Sequence, residues 1–167
     1  LRGWHQAGLT GIGMSVNVRK NKAYTDLNYE WMQKTFDVSA ISFHKMLQTL
    51  WKLDGMREWG SVVGLSYIAA QRVFPDYSEM AESKALLESF ARSFGYHYGT
   101  AKNVRVNTVS QSPTMTTAGQ GVKGFHEFFN YADKMSPLGN ATAEACADYC
   151  VMLFSDYTRY ITMQNLY

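Results

Sequence analysis

Tyr77 and Lys84 stand seven residues apart, and Tyr67 precedes Tyr77 by ten. Seven residues make about two turns of an α-helix, so a helix containing both Tyr77 and Lys84 would carry them on one face. A phenol beside an ammonium is a proton donor in waiting. The positive charge favours phenolate and is expected to draw the tyrosine pKa down towards neutrality. The same ammonium can donate hydrogen bonds to a sugar diol. The plainer reading is also open: with 11 tyrosines in the chain, such spacings arise without chemistry. Other constellations are weaker. Gly8-Leu9-Thr10-Gly11-Ile12-Gly13 is glycine-rich, but a phosphate loop needs a strand before it and a helix opening from it. Leu1–Ala7 is a poor strand and Val16–Tyr24 is polar, so the pyrophosphate-loop reading is rejected. Cys146 and Cys150, one helical turn apart, read as buried reduced thiols. His5, His44, His97 and His126 have no metal-ligand spacing, and no metal site is expected. No G-x-S-x-G elbow occurs.

The elements that must position these residues follow from periodicity and punctuation. Gly8–Tyr24 reads as a loop. From about Asp26 to Leu53 the pattern is helical, with Ala40, Phe43, Leu47 and Leu50 on one face. Ser61–Tyr67 is a strand expected to be buried on both faces. A helix is predicted from about Glu79 to Tyr98, and a strand over Val104–Val109. Ser110–Gly124, with Pro113 and three glycines, is a long loop of the kind that carries function. Within it Thr114–Gly124, with Gly119, Gly121 and Gly124, suits a lid that is mobile without ligand and orders over cofactor and acyl chain. Helices near Phe125–Lys134 and Thr142–Phe154 follow, the second capped by Thr142. A strand over Ile161–Tyr167 closes the chain. Strands alternating with helices give an α/β fold with a parallel sheet and crossover helices. In such sheets ligands bind beyond the carboxyl ends of the strands. The segment after Tyr67 and the loop after Val109 are therefore the places to look.

Composition narrows the class. The chain has 167 residues, is 46% hydrophobic and carries 16 basic and 14 acidic side chains for a net charge of +2. It can bury a core, and it has no basic run to suit nucleic acid. No apolar stretch reaches the roughly 18–20 residues of a membrane span. Two cysteines make no disulfide scaffold, and a reducing, cytoplasmic setting is expected. Leu1–Gln6 is not a signal peptide, and both ends read as cut. One partial domain over residues 1–167 of a longer protein is the expectation, with 1–10 fitting it poorly.

The run from Leu65 to Glu88 resembles the bacterial NADH-dependent enoyl-[acyl-carrier-protein] reductases, divergent members of the short-chain dehydrogenase/reductase superfamily. That family carries Tyr-x6-Lys where typical members carry Tyr-x3-Lys, with a second tyrosine ten residues earlier. Tyr67, Tyr77 and Lys84 match all three positions, and position 81 is alanine, so the shorter spacing fails. Asn103–Pro113 is similar to the family's strand and cofactor loop, and Thr116–Phe125 falls where its substrate loop lies. Gly11–Ser15 looks like its Ser-Ile-Gly segment, with glycine in place of serine. The resemblance spans about residues 11 to 167.

The resemblance implies a partial Rossmann-type sheet without the amino-terminal half, and reduction of enoyl thioesters by NADH in fatty acid biosynthesis. It implies that Tyr77 meets the thioester oxygen, that Tyr67 supports the substrate side and that Lys84 holds the nicotinamide ribose. Cofactor contacts are implied for Ile12, Gly13, Thr114 and Thr116, and an acyl channel for Met80, Val122 and Phe125. The implied partners are acyl carrier protein bearing the enoyl thioester, with Lys123 left from the basic docking patch, and further copies of the chain in a homotetramer. No nucleic acid or membrane partner is expected. Two alternatives stay open. One is a catalytically silent fragment that persists through helix-mediated oligomer contacts. The other is a hydroxyl or ketone reductase of the same superfamily, which the Tyr77-x6-Lys84 spacing disfavours.

Overall fold

The computed structural model describes residues 24–74, 77, 79–115 and 125–167. After a 3₁₀ turn, Tyr24–Asp26, the first α-helix starts after Asn28, whose side chain accepts from the amides of Glu30 and Trp31 at 3.0 and 3.1 Å and so caps α1, Tyr29–Phe36. The single helix expected over Asp26–Leu53 is divided. A five-residue stretch of wider π-type winding, Asp37–Ile41, separates α1 from α2, Ser42–Lys52. The chain then enters β1, Ser61–Leu65, and returns through α3, Glu79–Lys102. Asn103 ends α3 with a φ of +57°, a left-handed conformation that asparagine tolerates. β2 is Arg105–Val109, α4 Phe125–Met135, α5 Ala143–Phe154 and β3 Asn165–Leu166. The Thr142 hydroxyl accepts from the Ala145 amide at 3.2 Å, the expected cap of α5.

The three described strands are parallel in the order β1-β2-β3, with Ser61 opposite Arg105 and Thr108 opposite Asn165. The parallel sheet with crossover helices is thus present. Central β2 is buried throughout, whereas β1, at the edge of the described sheet, has only Gly64 fully buried. The expectation that β1 is buried on both faces is corrected accordingly. The last strand is also shorter than expected over Ile161–Tyr167. Met163 has a φ of +61°, which breaks the extended run. Backbone bonds still tie this segment to β2, from the Met163 amide to the Val106 carbonyl and from the Thr108 amide to the Gln164 carbonyl, both at 2.8 Å. The Asn107 side chain adds two more: it donates to the Ile161 carbonyl at 2.8 Å and accepts from the Gln164 amide at 3.1 Å.

The core lies between α2, α3 and the sheet, where Phe43, Leu47, Leu87, Ala91, Tyr98, Val104 and Val106 are almost wholly buried. Tyr98 keeps its hydroxyl satisfied by donating to the Leu47 carbonyl at 2.8 Å. Gly95 sits where α3 crosses the sheet. A Cβ there would meet Met163 Cγ at 2.6 Å and Thr162 Oγ1 at 3.3 Å. Gly95→Ala would gain about 1 kcal/mol of helix propensity, but overpacking costs about 1–3 kcal/mol. A lower melting midpoint is expected in thermal denaturation. An unchanged or higher midpoint would show that the close approach is not constraining. Of the thiols, Cys150 is buried as expected, while Cys146 is partly exposed; both are free.

Candidate active site

The site forms where β1 ends. The Ser66 amide donates to the Val109 carbonyl at 2.8 Å, carrying the pairing one residue past the strand. Tyr67 then holds an extended backbone before a single turn of 3₁₀ helix, Ile68–Ala70, redirects the chain. The Tyr77 amide donates to the Phe74 carbonyl at 3.2 Å. This local turn sets Tyr77 ahead of α3, whose first residue is Glu79. Tyr77 and Lys84 therefore do not share a helical face, contrary to the spacing argument. What the fold does bring together is the two tyrosines, with ring centroids 5.1 Å apart. Phe74 and Phe128 enclose Tyr67, at 5.7 and 6.4 Å, and meet each other edge to face at 5.0 Å. Phe128 places α4 beside the tyrosines. Phe74 had no periodic signal to mark it; its only clue was an aromatic ring three residues before Tyr77.

Lys84 projects from α3 back to the sheet end, and its Nζ donates to the Leu65 carbonyl at 2.9 Å. Burial pushes its pKa down from the ordinary 10.5 to about 8. An ammonium has three N–H donors and the Leu65 carbonyl takes one, a donor set that fits vicinal hydroxyls. The tyrosines move in the opposite sense. Burial pushes Tyr77 up to about 12. Tyr67 is raised by burial first and by its neighbour Tyr77 second. The expected drop of the tyrosine pKa towards neutrality is thus overturned: desolvation governs, and the resolved Lys84 contact is to a carbonyl. Tyr77 stays a protonated donor across the whole physiological range.

Lys84 also sets a pH dependence. Its pKa is lower folded than unfolded, so between about pH 8 and 10.5 the unfolded chain binds more protons and stability rises with pH. Below about 8 both states are charged and the buried ammonium costs its full desolvation. Relative to Lys84→Met, the native chain should therefore gain stability through that window. Paired melting curves at stepped pH test it; a constant difference would contradict it.

The other sequence-selected residues fall as follows. Thr114 lies beyond β2, its hydroxyl donating to the Ser112 carbonyl at 3.1 Å. Met80 is buried, with Ser39 Oγ 3.8 Å from its sulfur. Phe125 is buried and packs near Phe129, ring centroids 5.9 Å apart. Ile12, Gly13, Thr116, Val122 and Lys123 lie outside the described residues, as do all but the first two residues of Thr114–Gly124, read as a lid. A polar network that the sequence did not suggest sits beneath Tyr67. Ser66 Oγ donates to Glu88 Oε1 at 2.6 Å and Gln71 Nε2 to Glu88 Oε2 at 3.2 Å. Among the described residues no group of three or more His, Cys, Asp or Glu is placed to hold a metal, and no helix is long and apolar enough to cross a membrane.

The chain is similar to proteins of known activity. The crystal structure of a FabI–NADH complex from Alistipes finegoldii superposes with a TM-score of 0.89 at 62% identity, covering 93% of this chain and 55% of that one. The Aquifex aeolicus enoyl-[acyl-carrier-protein] reductase [NADH] FabI is 34% identical over 138 residues, 82% of this chain and 50% of that protein. The Rhizobium meliloti enoyl-[acyl-carrier-protein] reductase [NADH] 2 is 31% identical over 152 residues, 90% of this chain and 56% of that protein. The chain thus spans about half the length of the curated relatives it matches. The profile described as enoyl-(acyl carrier protein) reductase matches residues 7–167, nearly the whole chain and all of the tyrosine–lysine site, and the chain belongs to that family.

Proposed function

We propose that this chain supplies the tyrosine–lysine half of an NADH-dependent enoyl-[acyl-carrier-protein] reductase, which reduces the trans-2 double bond of enoyl thioesters in fatty acid biosynthesis. The observation that carries the reading is the Tyr67–Tyr77 pair, 5.1 Å between ring centroids, at the carboxyl end of β1 with Lys84 behind it. NADH, when bound, supplies the hydride. The protein has to stabilise negative charge that develops on the thioester oxygen as the β-carbon is reduced. Tyr77 donates its O–H to that oxygen, which its high pKa favours by keeping the proton in place. Tyr67, set against Tyr77, Phe74 and Phe128, supports the acyl side of an aromatic wall that excludes water. Lys84 holds the ribose hydroxyls. Thr114, with Ile12, Gly13 and Thr116, contacts the rest of the nicotinamide end. Met80, Val122 and Phe125 line the acyl channel.

The substrate on this reading is an enoyl group carried by acyl carrier protein, and the working form is a cytoplasmic homotetramer in which this chain is one partial domain. The outer faces of α2 and α3 form a cavity of about 400 Å³ lined by His44, Gln48, Trp51, Ser93, Phe94 and His97. That exposed aromatic surface also favours the second reading, a catalytically silent oligomerising fragment. NADH binding separates the two, since a silent fragment need not bind it. The test of the first is to follow deuterium from NADH deuterated at both C4 positions into the product formed by the complete polypeptide. Label at the thioester β-carbon is expected. Oxidation of NADH without label in an acyl product would refute it.

A further inference from the structure

Glu88 is a carboxylate only 4% exposed, on a helix face shared with Leu87 and Ala91 that an apolar residue could fill. A buried carboxylate is retained at a cost unless its oxygens are hydrogen-bonded. Here each oxygen is used. Oε1 accepts from the Ser66 hydroxyl at 2.6 Å and Oε2 accepts from the Gln71 amide at 3.2 Å. Ser66 and Gln71 are the two ends of the segment that carries Tyr67 and its 3₁₀ turn. One turn earlier on the same helix, Lys84 takes the Leu65 carbonyl. Consecutive residues at the end of β1 are thus tied to consecutive turns of α3. We propose that Glu88 is a positioning residue for enoyl reduction: it grips Ser66 and Gln71 and so fixes Tyr67 in its ring contact with Tyr77. The proposal rests on the function given above.

Misplacing a reacting partner by about 1 Å can cost on the order of 100-fold in rate. In the complete polypeptide, Glu88→Leu keeps bulk but removes both acceptors. Its kcat is expected to fall about 10- to 100-fold at unchanged NADH affinity. Amide exchange over Ser66–Gln71 should accelerate with it. Glu88→Gln keeps both bonds, since its Oε1 accepts from Ser66 and its amide donates to a rotated Gln71, so kcat and exchange should stay near the parent's. Ser66→Ala, which loses one grip, should fall between and guards against a poorly folding leucine variant. Glu88→Leu with parental kcat per folded molecule and a lowered melting midpoint alone would overturn the proposal. Equal loss in Glu88→Gln would do so too, by assigning the effect to charge. A parent that reduces no enoyl thioester would refute the functional reading instead, while the exchange contrast between the two Glu88 variants would still decide whether Glu88 grips the segment.

Discussion

Tyr77→Phe in the complete polypeptide is expected to lower the rate of enoyl thioester reduction by about 100- to 1,000-fold, equivalent to about 2.7–4 kcal/mol. The substitution deletes only the hydroxyl. The ring keeps its 5.1 Å packing on Tyr67, so melting behaviour should hold. NADH affinity should barely change, because this hydroxyl is assigned to the substrate oxygen. Tyr67→Phe should be milder, since the role proposed for Tyr67 rests on its ring, which keeps its contacts with Phe74 and Phe128. Steady-state rates and cofactor titrations on the three proteins check both statements. Equal losses from the two tyrosines would contradict the assignment, and a larger loss from Tyr67→Phe would reverse it.

Lys84→Met should act on the cofactor. It keeps the length of the stem but removes the ammonium, so NADH affinity and turnover should fall together; losing a charge-assisted donor set costs about 1.5–3 kcal/mol per bond, roughly 10- to 150-fold in affinity. The pH profile carries the same information. With the Lys84 pKa held near 8 by burial and Tyr77 near 12, an alkaline fall in rate beginning at about pH 8 belongs to the lysine. A profile flat to pH 10 in the parent, or full cofactor affinity in the methionine variant, would remove Lys84 from the cofactor site.

How much of this was legible in the sequence depended on range. Parallel topology followed from strand–helix alternation, and the cap at Thr142 from a hydroxyl placed before a helical pattern. Tyr67, Tyr77 and Lys84 were legible as a spacing. Their geometry was not, because it is settled by where α3 begins and by a carbonyl 19 residues before Lys84. Spacing suggested that an ammonium faced a phenol; the ammonium instead reaches the sheet end, and burial sets both pKa values. Glu88 was invisible for the same reason. In sequence it is one more charge on a helix, and only its contact with Ser66, 22 residues away, ties it to the segment that carries Tyr67. The short β3 escaped prediction because nothing in Ile161–Tyr167 forbids a strand. The interruption comes from a left-handed Met163 and from bonds to Asn107 across the sheet.

The most direct test is a substrate comparison with the complete polypeptide and NADH. A trans-2-enoyl thioester and the matching 3-ketoacyl thioester are offered separately, and NADH consumption is recorded for each. Oxidation of NADH with the enoyl thioester alone, abolished to within a few per cent in Tyr77→Phe, is the expected result. Reduction of the ketoacyl thioester with the enoyl thioester untouched would contradict it.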